Sequence, residues 1–245
     1  MAQLNPNISR RGFMRLALAG AGAAAFAWAF AQDPEAAYAA EEASAAAPYA
    51  NTVKVAILSD IHYMSHTLFA ENDAFHSAEN SDRKLFRQSA DILDKALQDV
   101  RAYKPNAIFV SGDLTKDGEQ VCHNEVRTKL LQAADDSAEG CVVRIINGNH
   151  DINNNVDGRN FKEIAANGEA APAGTVKPSE FRSDTYYGKC GYNDADELYV
   201  NSSYYPQPEP GHDATAGAAS YVTHFDGTDG TKVTMICVDS CRYSY

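Results

Sequence analysis

Three apolar runs, each ending in a short polar signature, constrain this chain more than any other feature. Residues 53–58 are followed by Asp60 and His62, residues 107–110 by Gly112 and Asp113, and residues 141–146 by Gly148, Asn149, His150 and Asp151. Short apolar runs bounded by polar turn residues read as buried strands. Leu85, Phe86, Ala90, Leu93, Leu97 and Val100 recur at helical steps and predict a helix over 81–103, stopped by Pro105. Val121, Cys122, Val126, Leu130 and Leu131 supply the face of a second helix, with Asp117 as a candidate cap, Gln120 three residues on, and Gly140 at its close. Strand, helix, strand, helix, strand argues for an α/β fold with parallel pairing and right-handed crossovers. From 152 to 217 the pattern weakens into loops with a short helix near 178–188. Residues 220–225 and 232–239 read as an antiparallel hairpin turning at 226–230, the start of a second sheet.

The signatures fall where open α/β sheets bind ligands, at the carboxyl ends of the strands. Asp60 and His62 are two residues apart, so in extended backbone both would face the same way. Asp113 has two oxygens and can bridge two cations. Asn149 offers a neutral carbonyl oxygen. His150, beside it, can donate a proton to a leaving alkoxide, and Asp151 can orient that ring. Gly112 and Gly148 let the backbone turn sharply next to each ligand. Two cations about 3.5–4 Å apart clamp a phosphoryl group and lower the pKa of water from about 15.7 towards 7.

The order Asp60-x-His62, Gly112-Asp113, Gly148-Asn149-His150-Asp151, with Ser111-Gly112-Asp113-Leu114-Thr115 as a second block, resembles the calcineurin-like metallophosphoesterases over roughly 53–240. The resemblance implies two mixed sheets flanked by helices, the second incomplete in this chain. It implies that Asp60, His62 and Asp113 hold one metal and that Asp113 and Asn149 hold the other. His150 takes the role of acid or transition-state stabiliser. The substrate is a small phosphorylated molecule, monoester or diester, attacked in line by metal hydroxide. The two divalent ions come from Mn, Fe and Zn, among which this ligand set does not choose. The family also supplies an isolated His and a Gly-His-x-His block after the strand that residues 235–239 resemble. None of the seven histidines fills that place, and Gly211-His212-Asp213 is only a partial likeness ahead of the hairpin. The expectation is an N-terminal part of a longer phosphoesterase with low or no turnover. The alternative is a non-catalytic exported fragment that retains a single metal or phosphate site.

The remaining features set the surroundings. A net charge of −12 argues against a basic face for nucleic acid. Ser9-Arg10-Arg11-Gly12-Phe13-Met14-Arg15 precedes an Ala- and Gly-rich apolar run to Ala31, the pattern of a twin-arginine export signal. The run is too weakly apolar for a lasting membrane anchor. Gly20-Ala21-Gly22 mimics a dinucleotide fingerprint but follows no strand. The expected division is an export signal over 1–39, a linker over 40–51 and one catalytic domain over 52–245. The export machinery is then a partner, and the destination lies beyond the bacterial cytoplasmic membrane. Five cysteines without a Cys-x-x-Cys exclude a zinc knuckle and leave room for one or two disulfides. Cys122, Cys141 and Cys237 read as small buried hydrophobes. The tyrosines at 186, 187, 192, 199, 204 and 205 read as loop packing.

Overall fold

Three parallel strands, β1 (Val55–Leu58), β2 (Ala107–Ser111) and β3 (Val142–Ile146), pair in that order, with Val55 opposite Ala107 and Ala107 opposite Val142. The computed structural model describes residues 53–152, 158–195, 197–199, 220–227 and 229–241. The export signal, the linker and His212 lie outside them. Ala107, Ile108 and Val110 of the central strand are buried, as an all-parallel sheet requires.

The single helix expected over 81–103 is two: α1 (Asp73–Ser81) and α2 (Ser89–Tyr103). Asn72 caps α1 by accepting the Phe75 N–H at 2.9 Å. The Asp82 carboxylate then accepts the Lys84 N–H at 3.1 Å, a local turn that competes with helix. Residues 82–88 therefore run outside the helices. Ala90, Leu93, Leu97 and Val100 form the buried face of α2, which ends at Lys104, left-handed at φ +50°, just before Pro105. Helix α3 (Gln120–Asp135) buries Cys122, Val126, Leu130 and Ala133. Its N-terminus carries no side-chain cap, so the capping role expected of Asp117 is not realised.

The second half of the domain is antiparallel. Strands β4 (Arg159–Ile164) and β5 (Ala170–Pro172) form a hairpin within a stretch expected to be loop. A short helix α4 (Pro178–Phe181) and a 3₁₀ turn (Gly188–Cys190) follow. Strands β6 (Glu197–Tyr199), β7 (Ser220–Asp226) and β8 (Lys232–Cys237) complete a three-stranded sheet, with β7 and β8 paired as the expected hairpin. This is the α/β architecture that the resemblance implies, parallel in the first sheet and antiparallel in the other two among the described residues.

A phenol joins the parallel sheet to the β6–β8 sheet. Tyr221 of β7 is fully buried; its hydroxyl accepts the Ile145 N–H at 3.0 Å and donates to the Ile145 carbonyl at 2.9 Å. At Ile145 the outer edge of β3 is thus satisfied by a side chain. Gly191, at φ +122°, leaves room for that ring: a Cβ there would lie 2.6 Å from it. Tyr186, Tyr187 and Tyr192 are buried around Phe181 and His123, which makes them packing residues. All five cysteines are free. Among the described residues no helix is long and apolar enough to cross a membrane.

Candidate metal centre

Strands β1 and β2 end side by side, and the loops that leave them stay hydrogen-bonded to each other. The N–H groups of Asp60, His62 and Tyr63 donate to the carbonyls of Gly112, Asp113 and Leu114 at 3.2, 2.9 and 2.9 Å. Lys116 returns a bond to the Tyr63 carbonyl at 3.0 Å. This continued pairing carries the first and second signatures to one point. Strand geometry does not persist through them. Asp60, His62 and Asp113 are left-handed at φ +55°, +46° and +50°, and Gly112 sits at +100°. Only one other described non-glycine residue, Lys104, has a positive φ. Such strain gathers at functional sites, and Asp and His tolerate it better than most residues.

The result is a cluster. One ligand atom each from Asp60, His62 and Asp113 lies within 4.8 Å of the others. His62 Nε2 is 3.9 Å from Asp60 Oδ1 and 3.8 Å from Asp113 Oδ2. Those gaps are too wide for hydrogen bonds of about 3 Å. They suit a cation about 2.1 Å from each atom. Burial, aided by the nearby Lys84 ammonium, holds the His62 pKa below its ordinary value despite Asp113. The ring is therefore neutral at pH 7, the form that ligates. Asp60 is open to solvent at 68% and accepts a bond from the Ser59 hydroxyl, whereas His62 and Asp113 are mostly buried. Two carboxylates and an imidazole fit a divalent transition metal.

The third signature closes on Asp113 from the other side. The His150 N–H donates to Asp113 Oδ1 at 3.0 Å. A Cβ on Gly148 would lie 2.1 Å from that same oxygen and 2.2 Å from the Asp113 nitrogen. A Cβ on Gly112 would lie 2.7 Å from the Gly148 nitrogen. Gly112 is needed for its turn and for this contact, whereas Gly148 is needed for close approach and not for a positive φ. Asn149 sits exposed between Gly148 and His150, so the loop that carries it abuts the Asp113 carboxylate.

The His150 ring stands edge-on to His62 with centroids 5.1 Å apart. Its orienting carboxylate is Asp117, 3.4 Å from Nδ1, rather than Asp151. Asp151 is fully buried with both oxygens committed: Oδ1 accepts the Thr115 N–H at 3.0 Å and its hydroxyl at 3.2 Å, and Oδ2 accepts the Gly148 N–H at 2.7 Å. It ties the second and third signatures together. Burial, with repulsion from Asp113, pushes its carboxyl up to about 7 against those hydrogen bonds. Burial also opposes ionisation of Asp117, yet the bond from His150 and the cations Lys116 and Arg159 hold it at about 2. The bond to Asp117 in turn raises the His150 pKa against burial and Lys84.

Sequence reasoning missed Asp117, Arg159 and Lys84 as neighbours of the site. Arg159 Nη2 lies 3.2 Å from Asp117, and Lys84 Nζ lies 2.9 Å from His150 Nε2. A cleft of about 420 Å³ opens beside Asp60 and His62, bordered by Leu58, Lys84, Leu85 and Ile92.

A family model described as calcineurin-like phosphoesterase matches residues 53–222. The chain belongs to the calcineurin-like phosphoesterase family. No curated protein sequence matches it. The matched span contains all three signatures, so the converging side chains are those of a metal-dependent phosphoester hydrolase fold. In this member of the family the candidate ligands are Asp60, His62 and Asp113, and Asn149 stands on the adjoining loop.

Proposed function

We propose that this chain is an exported phosphoester hydrolase that works with two divalent cations. The observation that carries the reading is the meeting of Asp60, His62 and Asp113 from two strand ends, in strained backbone, within a phosphoesterase domain. Asp60, His62 and Asp113 would hold one cation, and Asp113 with Asn149 the other. A bound pair supplies positive charge to the phosphoryl group and acidifies water from about 15.7 towards 7. The chain's own residues do the rest. Asp117 lies 3.4 Å from Nδ1 of His150 and favours its protonated form; once Lys84, now 2.9 Å from Nε2, turns to the substrate, Nε2 is the nitrogen that gives a proton to the departing alkoxide. The His150 backbone N–H fixes the Asp113 carboxylate, so acid and ligand move as one unit. Asp151 braces the Gly148 and Thr115 loops behind them.

The test is metal analysis beside a phosphatase assay with added Mn, Zn or Fe. One tightly held and one weakly held equivalent of metal per chain are expected, with slow hydrolysis that is abolished by chelator and by Asp113→Asn. Hydrolysis indifferent to both would overturn the reading. A second reading is favoured by the fact that Asp60, His62 and Asp113 are the one such cluster among the described residues. It is a non-catalytic exported protein with a single metal or phosphate site, and one equivalent of metal without turnover would establish it. Export is supported by Arg10 and Arg11 ahead of the apolar run. Replacing both with Lys should strand a reporter fused behind residues 1–39 in the cytoplasm, if the twin-arginine machinery is the partner. The net charge of −12 argues against nucleic acid as the substrate.

A further inference from the structure

Lys84 reaches the metal centre from the segment that interrupts the expected helix. That segment is anchored: Phe86 is buried, and the Ser89 hydroxyl accepts the Met64 N–H at 2.9 Å. The half-buried Lys84 Nζ lies 2.9 Å from Nε2 and 3.3 Å from Nδ1 of His150. The neighbouring cations are matched by carboxylates. Lys116 Nζ lies 3.3 Å from Asp82 and 2.9 Å from Asp117, and Arg159 lies 3.2 Å from Asp117. Lys84 is different: among the described residues no carboxylate forms a close ion pair with it, and Asp82, Asp117 and Asp113 act on its charge only from farther off. Its ammonium rests against an imidazole whose other nitrogen faces Asp117. The ammonium also borders the cleft beside Asp60 and His62, where it can meet an anion that approaches the metal ligands.

We propose that Lys84 binds an unesterified phosphoryl oxygen of the substrate and so makes this site select phosphomonoesters over phosphodiesters. The inference rests on the phosphoesterase reading above and names its substrate class. A monoester near neutral pH carries about −1.5 to −2 of charge on three terminal oxygens. A diester carries a single charge on two. An ammonium added to a site that already engages two oxygens finds an anionic partner only on the monoester. A charged hydrogen bond in a partly dry site is the kind that contributes most to binding.

The experiment uses the full chain loaded with Mn, and two unreactive probes: phenylphosphonate, a dianion, and its monomethyl ester, a monoanion. Lys84→Met should weaken phenylphosphonate binding by about ten- to a hundredfold. The monomethyl ester should bind as it does to the wild type, and Mn content should not change. Lys84→Arg should keep most of the preference. The kcat/KM ratio for p-nitrophenyl phosphate over bis(p-nitrophenyl) phosphate should fall in parallel with the dianion's affinity. Equal weakening of both probes, or none, overturns the role of Lys84 and leaves the hydrolase reading intact. A wild-type chain that binds neither probe and hydrolyses neither ester overturns the hydrolase reading, and this inference falls with it.

Discussion

Adding one methyl group at Gly148 tests how the centre is built. The new Cβ would lie 2.1 Å from Asp113 Oδ1, 2.2 Å from its nitrogen and 2.8 Å from its Cγ. An ordinary contact is about 3.4 Å, so Asp113 and Gly148 must separate by more than about 1 Å. Rotating the carboxylate does not relieve the clash, because a backbone atom is as close as the side chain. Separation also breaks the bond from the His150 N–H to Oδ1, now 3.0 Å. Overpacking of this kind costs about 1–3 kcal/mol, and the lost hydrogen bond about 1 more. Gly148→Ala should therefore lose about 2–4 kcal/mol in urea denaturation and bind metal at least about tenfold more weakly. Gly168→Ala is the control. Gly168 has φ +83° in the β4–β5 turn with nothing within 4 Å of a Cβ, so it should lose about 1 kcal/mol with metal affinity intact. If the two variants behaved alike in both assays, the close-approach argument would be wrong.

Three further outcomes follow from the same geometry. Asp117→Asn removes the main influence that raises the His150 pKa, so the alkaline limb of the kcat/KM profile should move to lower pH; an unmoved limb would exclude His150 as the acid. His123 is fully buried, donating from Nε2 to the Asp151 carbonyl at 2.7 Å, and burial lowers its pKa from 6.5 to about 4. Below pH 6.5 the unfolded chain takes up a proton that the folded chain refuses, so the contribution of His123 to stability falls as pH drops from 6.5 to 4, by about 3 kcal/mol. His123→Gln should flatten that slope; Asp151 is common to both chains and drops out of the difference, and parallel slopes would contradict the assignment. Tyr221→Phe leaves the Ile145 N–H and carbonyl unpartnered and should cost about 1–3 kcal/mol in urea without altering metal content. An unchanged midpoint would mean that this phenol does not hold the sheets together.

The parallel strands and their signatures were legible because each apolar run stops just before its ligands. Asp60, His62 and Asp113 needed only strand order to be placed at one rim. The break between α1 and α2 was hidden because Leu85, Phe86, Ala90 and Leu93 keep helical spacing across it; the signal was Asp82, able to turn the chain onto Lys84. Asp117 was misread because its spacing to Gln120 imitates a cap. Its true partners, His150 and Arg159, are 33 and 42 residues away in the chain. Asp151 was paired with its sequence neighbour, although its oxygens turn inward to Thr115 and Gly148. The β4–β5 hairpin was missed because its register shifts between Asn160 and Ile164, which blurs the two-residue alternation.

The corner conformation at positions 60, 62 and 113 filters residues before any ion arrives. Asparagine or glycine can occupy such corners, while valine and isoleucine are barred by their branching, whatever their affinity for a metal. A saturation library scored for soluble yield alone would thus show narrow tolerance at these sites. Such selectivity would record the shape of the main chain, and a search for ligands by mutational sensitivity would find them for a reason unrelated to coordination.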